Sequence, residues 1–227
     1  MKRRFLLLLV ALGVGSCVFG PGAVAQELKR NIFGVDVGVN VSSLSISGTF
    51  LNVAPSSKMG FSGGLSYQRL VVPSQPIYIE TGVYYSQKGA IYREDELALE
   101  LSTSHFEVPL LVNYRVDLGS NFSMVPSAGL YCSYGVAGDY ALSGTSGDSE
   151  LDGNLEVMED YSVYGSGGEF KRGNMGMRLG VGFGWKMVVI RAIYERDLLN
   201  GSKIQDGVND NSKTKNQVFR FSVGYRF

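Results

Sequence analysis

Apolar and polar residues alternate with a period of two through almost the whole chain beyond Asn31. The closing stretch shows it most plainly, with Phe219, Phe221, Val223, Tyr225 and Phe227 on one face and Arg220, Ser222, Gly224 and Arg226 between them. Period two is the repeat of a β-strand, whose successive side chains point to opposite faces; a helix repeats every 3.6 residues. The same rule sets Phe33, Val35, Val37, Val39 and Val41 against Gly34, Asp36, Gly38 and Asn40. It sets Ile77, Ile79, Thr81, Val83 and Tyr85 against Tyr78, Glu80, Gly82, Tyr84 and Ser86. Phe106, Val108, Leu110, Val112, Tyr114 and Val116 alternate in turn with Glu107, Pro109, Leu111, Asn113 and Arg115. Weaker alternation covers 61–68, and further runs cover 122–134, 175–185 and 188–194. Eight strands are expected. The 30 Gly, 13 Tyr and 12 Phe against 6 Pro suit a β-rich chain with many close backbone approaches.

The connections between these runs alternate in length. Those at 72–76, 117–121 and 186–187 are short; those at 47–58, 89–96, 137–170 and 197–214 are long. In an antiparallel sheet of consecutive strands, that order gathers every long loop at one end, as in barrels with short periplasmic turns and long external loops. A soluble lipocalin-like barrel would turn the apolar stripes inward instead. The polar faces favour the opposite orientation. They carry Gly, Ser and charges of both signs, which suit a crowded interior, while Tyr and Trp near strand ends suit the two membrane interfaces. The expected fold is all-β: an eight-stranded antiparallel up-and-down transmembrane β-barrel in the bacterial outer membrane, surrounded by outer-membrane lipid.

The start of the chain fits that location. Lys2, Arg3 and Arg4 precede an apolar run from Phe5, and Ala23-Val24-Ala25 offers a small-x-small cleavage site. This reads as a cleavable signal peptide over 1–25, leaving a barrel domain over 26–227. Gly13, Gly15, Ser16, Gly20 and Pro21 interrupt the run short of the roughly 20 apolar residues of a membrane-spanning helix. Lipid attachment at Cys17 is the alternative, from the loose lipoprotein-like box Val14-Gly15-Ser16-Cys17. Removing Lys2, Arg3 and Arg4 from the 21 basic residues leaves 18 against 21 acidic ones, so no basic excess exists to drive nucleic-acid binding. Cys132 then stands alone, without an intrachain partner.

Several longer stretches carry a resemblance: Ile79-Glu80-Thr81-Gly82-Val83-Tyr84-Tyr85-Ser86-Gln87-Lys88-Gly89, Phe106-Glu107-Val108-Pro109-Leu110-Leu111, Ser127-Ala128-Gly129-Leu130-Tyr131 and the closing Gly224-Tyr225-Arg226-Phe227. Together the mature chain resembles the PorT-like outer-membrane β-barrel family, also described as the outer membrane protein beta-barrel domain. The resemblance implies fold and location; some relatives assist a secretion system. The Asp-x-Gly usual before the sixth strand is replaced by Arg172-Gly173-Asn174-Met175-Gly176. The terminal aromatic Phe227 resembles the signal that barrel-insertion machinery reads on a last strand.

Four groups of residues invite a chemical reading. The inward faces collect Asp36, Glu80, Glu107 and Glu195 with Arg115, Arg178, Arg191, Arg220 and Arg226. A barrel of eight strands encloses little beyond side chains, so these charges are expected to pair with one another as an interior plug. His105, the single histidine, is expected as a solvated residue at the external rim near Ser102 and Ser104, with no acidic group to orient it for catalysis. Gly180-Val181-Gly182-Phe183-Gly184 lacks the spacing of a nucleotide-binding loop and is expected to be packing within a strand. Between Ala137 and Phe170 the chain holds Asp139, Asp148, Glu150, Asp152, Glu156, Glu159, Asp160 and Glu169 but no Lys or Arg. Within it Asp148, Glu150, Asp152, Asn154, Glu156 and Glu159, with Gly153 at the sixth position, follow the spacing of a calcium loop. Glu150 departs from the usual Asp or Asn, and no helix precedes the loop. Ca²⁺ there is the one cofactor the sequence suggests. The reading that follows is a non-enzymatic barrel acting through its external loops, by partner binding, envelope integrity or support of secretion. A narrow channel is the alternative, and a rim enzyme at His105 the third reading.

Overall fold

Every strand solves the same problem: one apolar face and one polar face must each find a matching medium. In the computed structural model, which describes residues 28–47, 56–94, 97–119, 121–144, 156–157, 163–164, 171–199 and 213–227, the strands close on themselves. They are β1 (Asn31–Ser47), β2 (Ser56–Leu70), β3 (Ile77–Glu94), β4 (Leu97–Tyr114), β5 (Phe122–Gly144), β6 (Gly173–Trp185), β7 (Val188–Asp197) and β8 (Lys213–Arg226). Each pairs antiparallel with the next, and β1 pairs with β8 from Gly34↔Arg226 to Ser47↔Lys213. The result is a closed, all-β, eight-stranded antiparallel barrel with no free edge along its wall among the described residues. Two short ladders add to it, Val116–Asp117 and Glu156–Val157, both against β5.

The apolar faces point out and the polar faces in. Phe33, Val35, Val37 and Val39 on β1, Val108, Leu110 and Val112 on β4, and Phe219, Phe221 and Val223 on β8 are all exposed. Their neighbours Asp36, Asn40, Glu107, Asn113, Arg220 and Ser222 are buried. A water-soluble protein cannot hold its charges inside and its Val, Leu and Phe outside, because both choices oppose the hydrophobic effect; a lipid surround reverses the sign of the outer one. On β4 the outward apolar run spans Phe106 to Tyr114, about the 9–11 residues of a tilted membrane-crossing strand. Aromatic pairs edge this belt: Tyr85 with Phe106 and Tyr194 with Phe219 towards the long-loop end, Phe33 with Tyr67 and Tyr225 with Phe227 towards the other.

Glycine on the inner wall makes room for charge. A Cβ on Gly224 would strike the Asp36 carboxylate and lie 2.6 Å from Arg226 Nη1; one on Gly34 would lie 2.6 Å from Ser66 Oγ. In β6, Gly180, Gly182 and Gly184 occupy the inner face of the strand, with Ser127, Arg191 and Ser123 side chains against them.

Several sequence expectations change. The connection expected as a long loop over 89–96 is strand for most of its length: β3 runs to Glu94 and β4 starts at Leu97. Lys88 and Ala90 continue the inward parity of Tyr84 and Ser86, so the ladder extends with β4 up to Glu94↔Leu97. Arg115 lies one residue past the end of β4, beside the buried Tyr78. The last strand does not end in Phe. It ends at Arg226, and Phe227 lies beyond it, held by its N–H donating to Phe33 O at 2.9 Å. The ladder with β1 closes at Gly34↔Arg226, so an insertion signal built on a Phe-terminated strand is not supported.

The orientation of the faces has a direct test. Leu110 is exposed in the middle of the β4 belt. Leu110→Arg should lower the stability of the barrel folded into lipid vesicles by about 2–4 kcal/mol, read by urea unfolding. An effect near zero, as expected for an exposed position in water, would contradict the lipid-facing assignment.

Candidate functional site

The lumen is filled by side chains in layers. At the end where the described strands begin and finish, Arg226 Nη2 donates to Asp36 at 2.7 Å, and Ser66 and Tyr84 hydroxyls donate to the other oxygen of Asp36 at 3.3 Å. Beside this pair, Arg191 grips Glu80 through two bonds of 2.7 and 2.9 Å, and Gln68 and Asn113 amides donate to the same carboxylate at 2.8 and 2.6 Å. Two parallel N–H bonds to one carboxylate is the strongest geometry an ion pair can take.

The middle layer is a cluster of five charges. Glu107 meets Lys88 at 2.7 Å, Arg178 at 2.7 Å and Arg220 at 2.8 Å. Glu195 meets Arg178 at 2.8 Å, Arg220 at 3.2 Å and Lys88 at 3.6 Å. Arg220 Nε donates to Asn40 at 2.9 Å and Nη2 to Ser86 at 3.0 Å, while Arg178 lies between the rings of Tyr84 and Tyr131, 5.6 and 5.3 Å from their centres. Three cations here face two carboxylates. The balancing charge is Asp197 in the layer above, which accepts from Tyr131 at 2.6 Å, Asn174 at 2.7 Å, and the Asn216 side chain and backbone at 2.9 and 3.1 Å. Among the described residues, the buried acids Asp36, Glu80, Glu107, Glu195 and Asp197 equal in number the buried bases Lys88, Arg178, Arg191, Arg220 and Arg226. Neutrality matters here because an uncompensated charge away from water costs several kcal/mol. One cavity of about 10 Å³, lined by Asp36, Ser62, Tyr84, Arg178, Arg191 and Arg220, among others, has room for about one water.

Towards the long-loop end the lumen closes differently. Val163 and Tyr164, from the segment between β5 and β6, are buried among Leu44, Ala90 and Leu101, with Tyr92 and Tyr140 packed around them. The Tyr164 hydroxyl lies 3.2 Å from His105 Nε2, and burial pushes that phenol up to about 12. His105 is therefore not the solvated rim residue the sequence suggests. It is 6% exposed, well inside β4 rather than at its head, and its Nε2 also lies 3.0 Å from Thr103 Oγ1.

Of the nine lumen residues expected from sequence, Asp36, Glu80, Glu107, Arg178, Arg191, Glu195, Arg220 and Arg226 meet in these layers. Arg115 stands apart, half-exposed at the short-turn end, 4.0 Å from Asp117. Sequence reasoning missed Lys88 and Asp197, although each lies one inward step beyond a named residue: Lys88 follows Ser86, and Asp197 follows Glu195. Both escape because the strands run longer than their apolar stripes. Asp148, Glu150, Asp152, Asn154 and Glu159 of the calcium-like loop lie outside the described residues; Glu156 falls in the short ladder opposite Leu142.

A closed antiparallel barrel with an apolar belt and a charged, packed lumen defines an integral outer-membrane barrel of the small, filled kind. The chain belongs to the family described as the outer membrane protein beta-barrel domain, which matches residues 24–196. No curated protein matches the chain. Among solved structures it is similar to Ail, the attachment invasion locus protein of Yersinia pestis, at 17% identity and a TM-score of 0.38 over 88% of this chain and 100% of that one. It is similar also to a major outer membrane protein from Thermus thermophilus, at 14% identity and a TM-score of 0.46 over 88% and 100% of the two chains. OprG from Pseudomonas aeruginosa shows 11% identity and a TM-score of 0.45 over 88% and 97%. These likenesses are ones of fold alone.

The central cluster makes one carboxylate answer for three cations. Glu107→Ala should destabilise the folded barrel by about 3–5 kcal/mol, because it leaves buried cations short of a partner. Urea unfolding in detergent or vesicles measures it; a loss below about 1 kcal/mol, the range of exposed pairs, would show that water already reaches the cluster.

Proposed function

We propose that this protein is a non-enzymatic bacterial outer-membrane barrel, exported with a signal peptide over 1–25 removed, that acts through its external surface and not through its lumen. The observation that carries this reading is the filled interior: paired charges across the middle, and Val163 and Tyr164 across the long-loop end. What remains for function is the rim, where β3, β4 and β5 continue well past the apolar belt and the acidic segment between β5 and β6 begins. Partner binding, envelope support and assistance to secretion, the last suggested by the PorT-like resemblance, all fit such a surface. The rim-enzyme reading is disfavoured because His105 is buried against Thr103 and Tyr164, with no carboxylate among the described residues bonded to its ring.

A narrow channel is the competing reading, and conductance separates the two. Purified barrel in planar lipid bilayers should give no discrete conductance steps at neutral pH. Reproducible unitary steps, absent from a protein-free control, would make the lumen a path and overturn the external-surface reading.

A further inference from the structure

The residues around Tyr164 form more than a gap filled by chance. Among the described residues, its surroundings come mostly from the barrel wall and its edge. His105 and Thr103 of β4, 6% and 8% exposed, lie at the hydroxyl end. The His105 ring meets the Tyr164 ring edge-on, with centres 6.1 Å apart. The Arg172 guanidinium sits over the ring, 5.5 Å from its centre, and is itself held by donating to Gly135 O at 3.2 Å. Leu44, Ala90 and Leu101 supply the apolar side.

Two glycines of β5 make the space. A Cβ on Gly135 would lie 2.6 Å from the Tyr164 hydroxyl oxygen, and one on Gly138 would lie 2.7 Å from Val163 Cβ. Any side chain at Gly135 would therefore occupy the ring's place. The polar end is also specific. The Thr103 hydroxyl donates to Lys88 O at 3.2 Å, so its oxygen is left to accept from His105 Nε2. That assignment puts the proton on Nε2, within reach of a second acceptor, and the phenol oxygen lies at 3.2 Å. Apolar walls, a cation over the ring face and hydrogen-bonding groups at the far end are what a phenol requires.

We infer that the long-loop mouth of the barrel is a binding site for a para-substituted phenol, occupied by the chain's own Tyr164. Tyr164 acts there as a tethered occupant, fixing the segment between β5 and β6 to the barrel mouth at that point. The site is a property of the wall, and it stands whether or not the external surface binds a partner.

Because His105 is the single histidine, formation of carbethoxyimidazole by diethyl pyrocarbonate reports on the site alone. In full-length protein folded in detergent, with folding checked by mobility in SDS, His105 should be protected in the wild type and labelled rapidly in Tyr164→Ala. Adding p-cresol at about 1–10 mM, the range of effective concentration a short tether supplies, should restore protection to Tyr164→Ala, and toluene should restore less. Tyr164→Phe, which keeps the ring and fills the space, should be labelled at an intermediate rate and guards against misfolding of the Ala variant. Wild-type labelling as fast as that of Tyr164→Ala would overturn the occupancy. Failure of p-cresol to protect, or equal protection by toluene, would overturn the recognition of a phenol.

Discussion

Glu107 holds the interior together. It receives Lys88 from β3, Arg178 from β6 and Arg220 from β8, and the same three cations also approach Glu195 of β7. Asn40 of β1 accepts a further bond from Arg220 Nε. One cluster thereby ties strands from most of the circumference across the lumen. Burying two carboxylates and three cations is unfavourable on its own, and only full pairing offsets it. The cluster works as a register lock as well as a cross-brace. Slipping any strand by one residue would send its charge into lipid and an aliphatic side chain into the lumen.

The rest of the molecule accommodates that interior. Small inner-wall residues such as Gly34 and Gly224 leave room for Arg226 and Asp36, and the outer wall presents Val, Leu and Phe to lipid between bands of aromatic rings. The lumen has two seals of different kinds. Charge fills the middle, where every partner is fixed to a strand. A small apolar group closes the long-loop end, where Val163 and Tyr164 come from a connecting segment.

The barrel is legible in the sequence because period-two alternation survives even in weak strands, and because polar faces rich in Gly and paired charge make little sense in water. The apolar stripe, however, marks the lipid belt and not the strand. Where β3, β4 and β5 rise beyond the belt their outer faces turn polar, as at Gln87, Ser102 and Ser104, and the alternation that betrays a strand fades. That is why 89–96 reads as a loop, why Lys88 escapes notice, and why His105 reads as a rim residue; Asp197 escapes because it is the last residue of β7, beyond the apolar stripe that ends at Tyr194. Arg115 follows the inward parity one residue beyond the end of β4, beside Tyr78 and apart from the paired layers. The burial of Tyr164 has no local signal at all. It depends on Gly135 and Gly138 facing a distant segment, and nothing in the run of sequence around either glycine says what will fill the space.

The central claim is a closed barrel with its charges inside and its apolar face in the membrane. Electrophoretic mobility in SDS, compared with and without boiling on protein taken from the outer-membrane fraction, tests it most directly. A closed barrel of this kind should resist SDS when cold and migrate at a different apparent mass after boiling. A single mobility under both conditions, with the protein in the soluble periplasmic fraction, would contradict the account and turn the two faces of the sheet around.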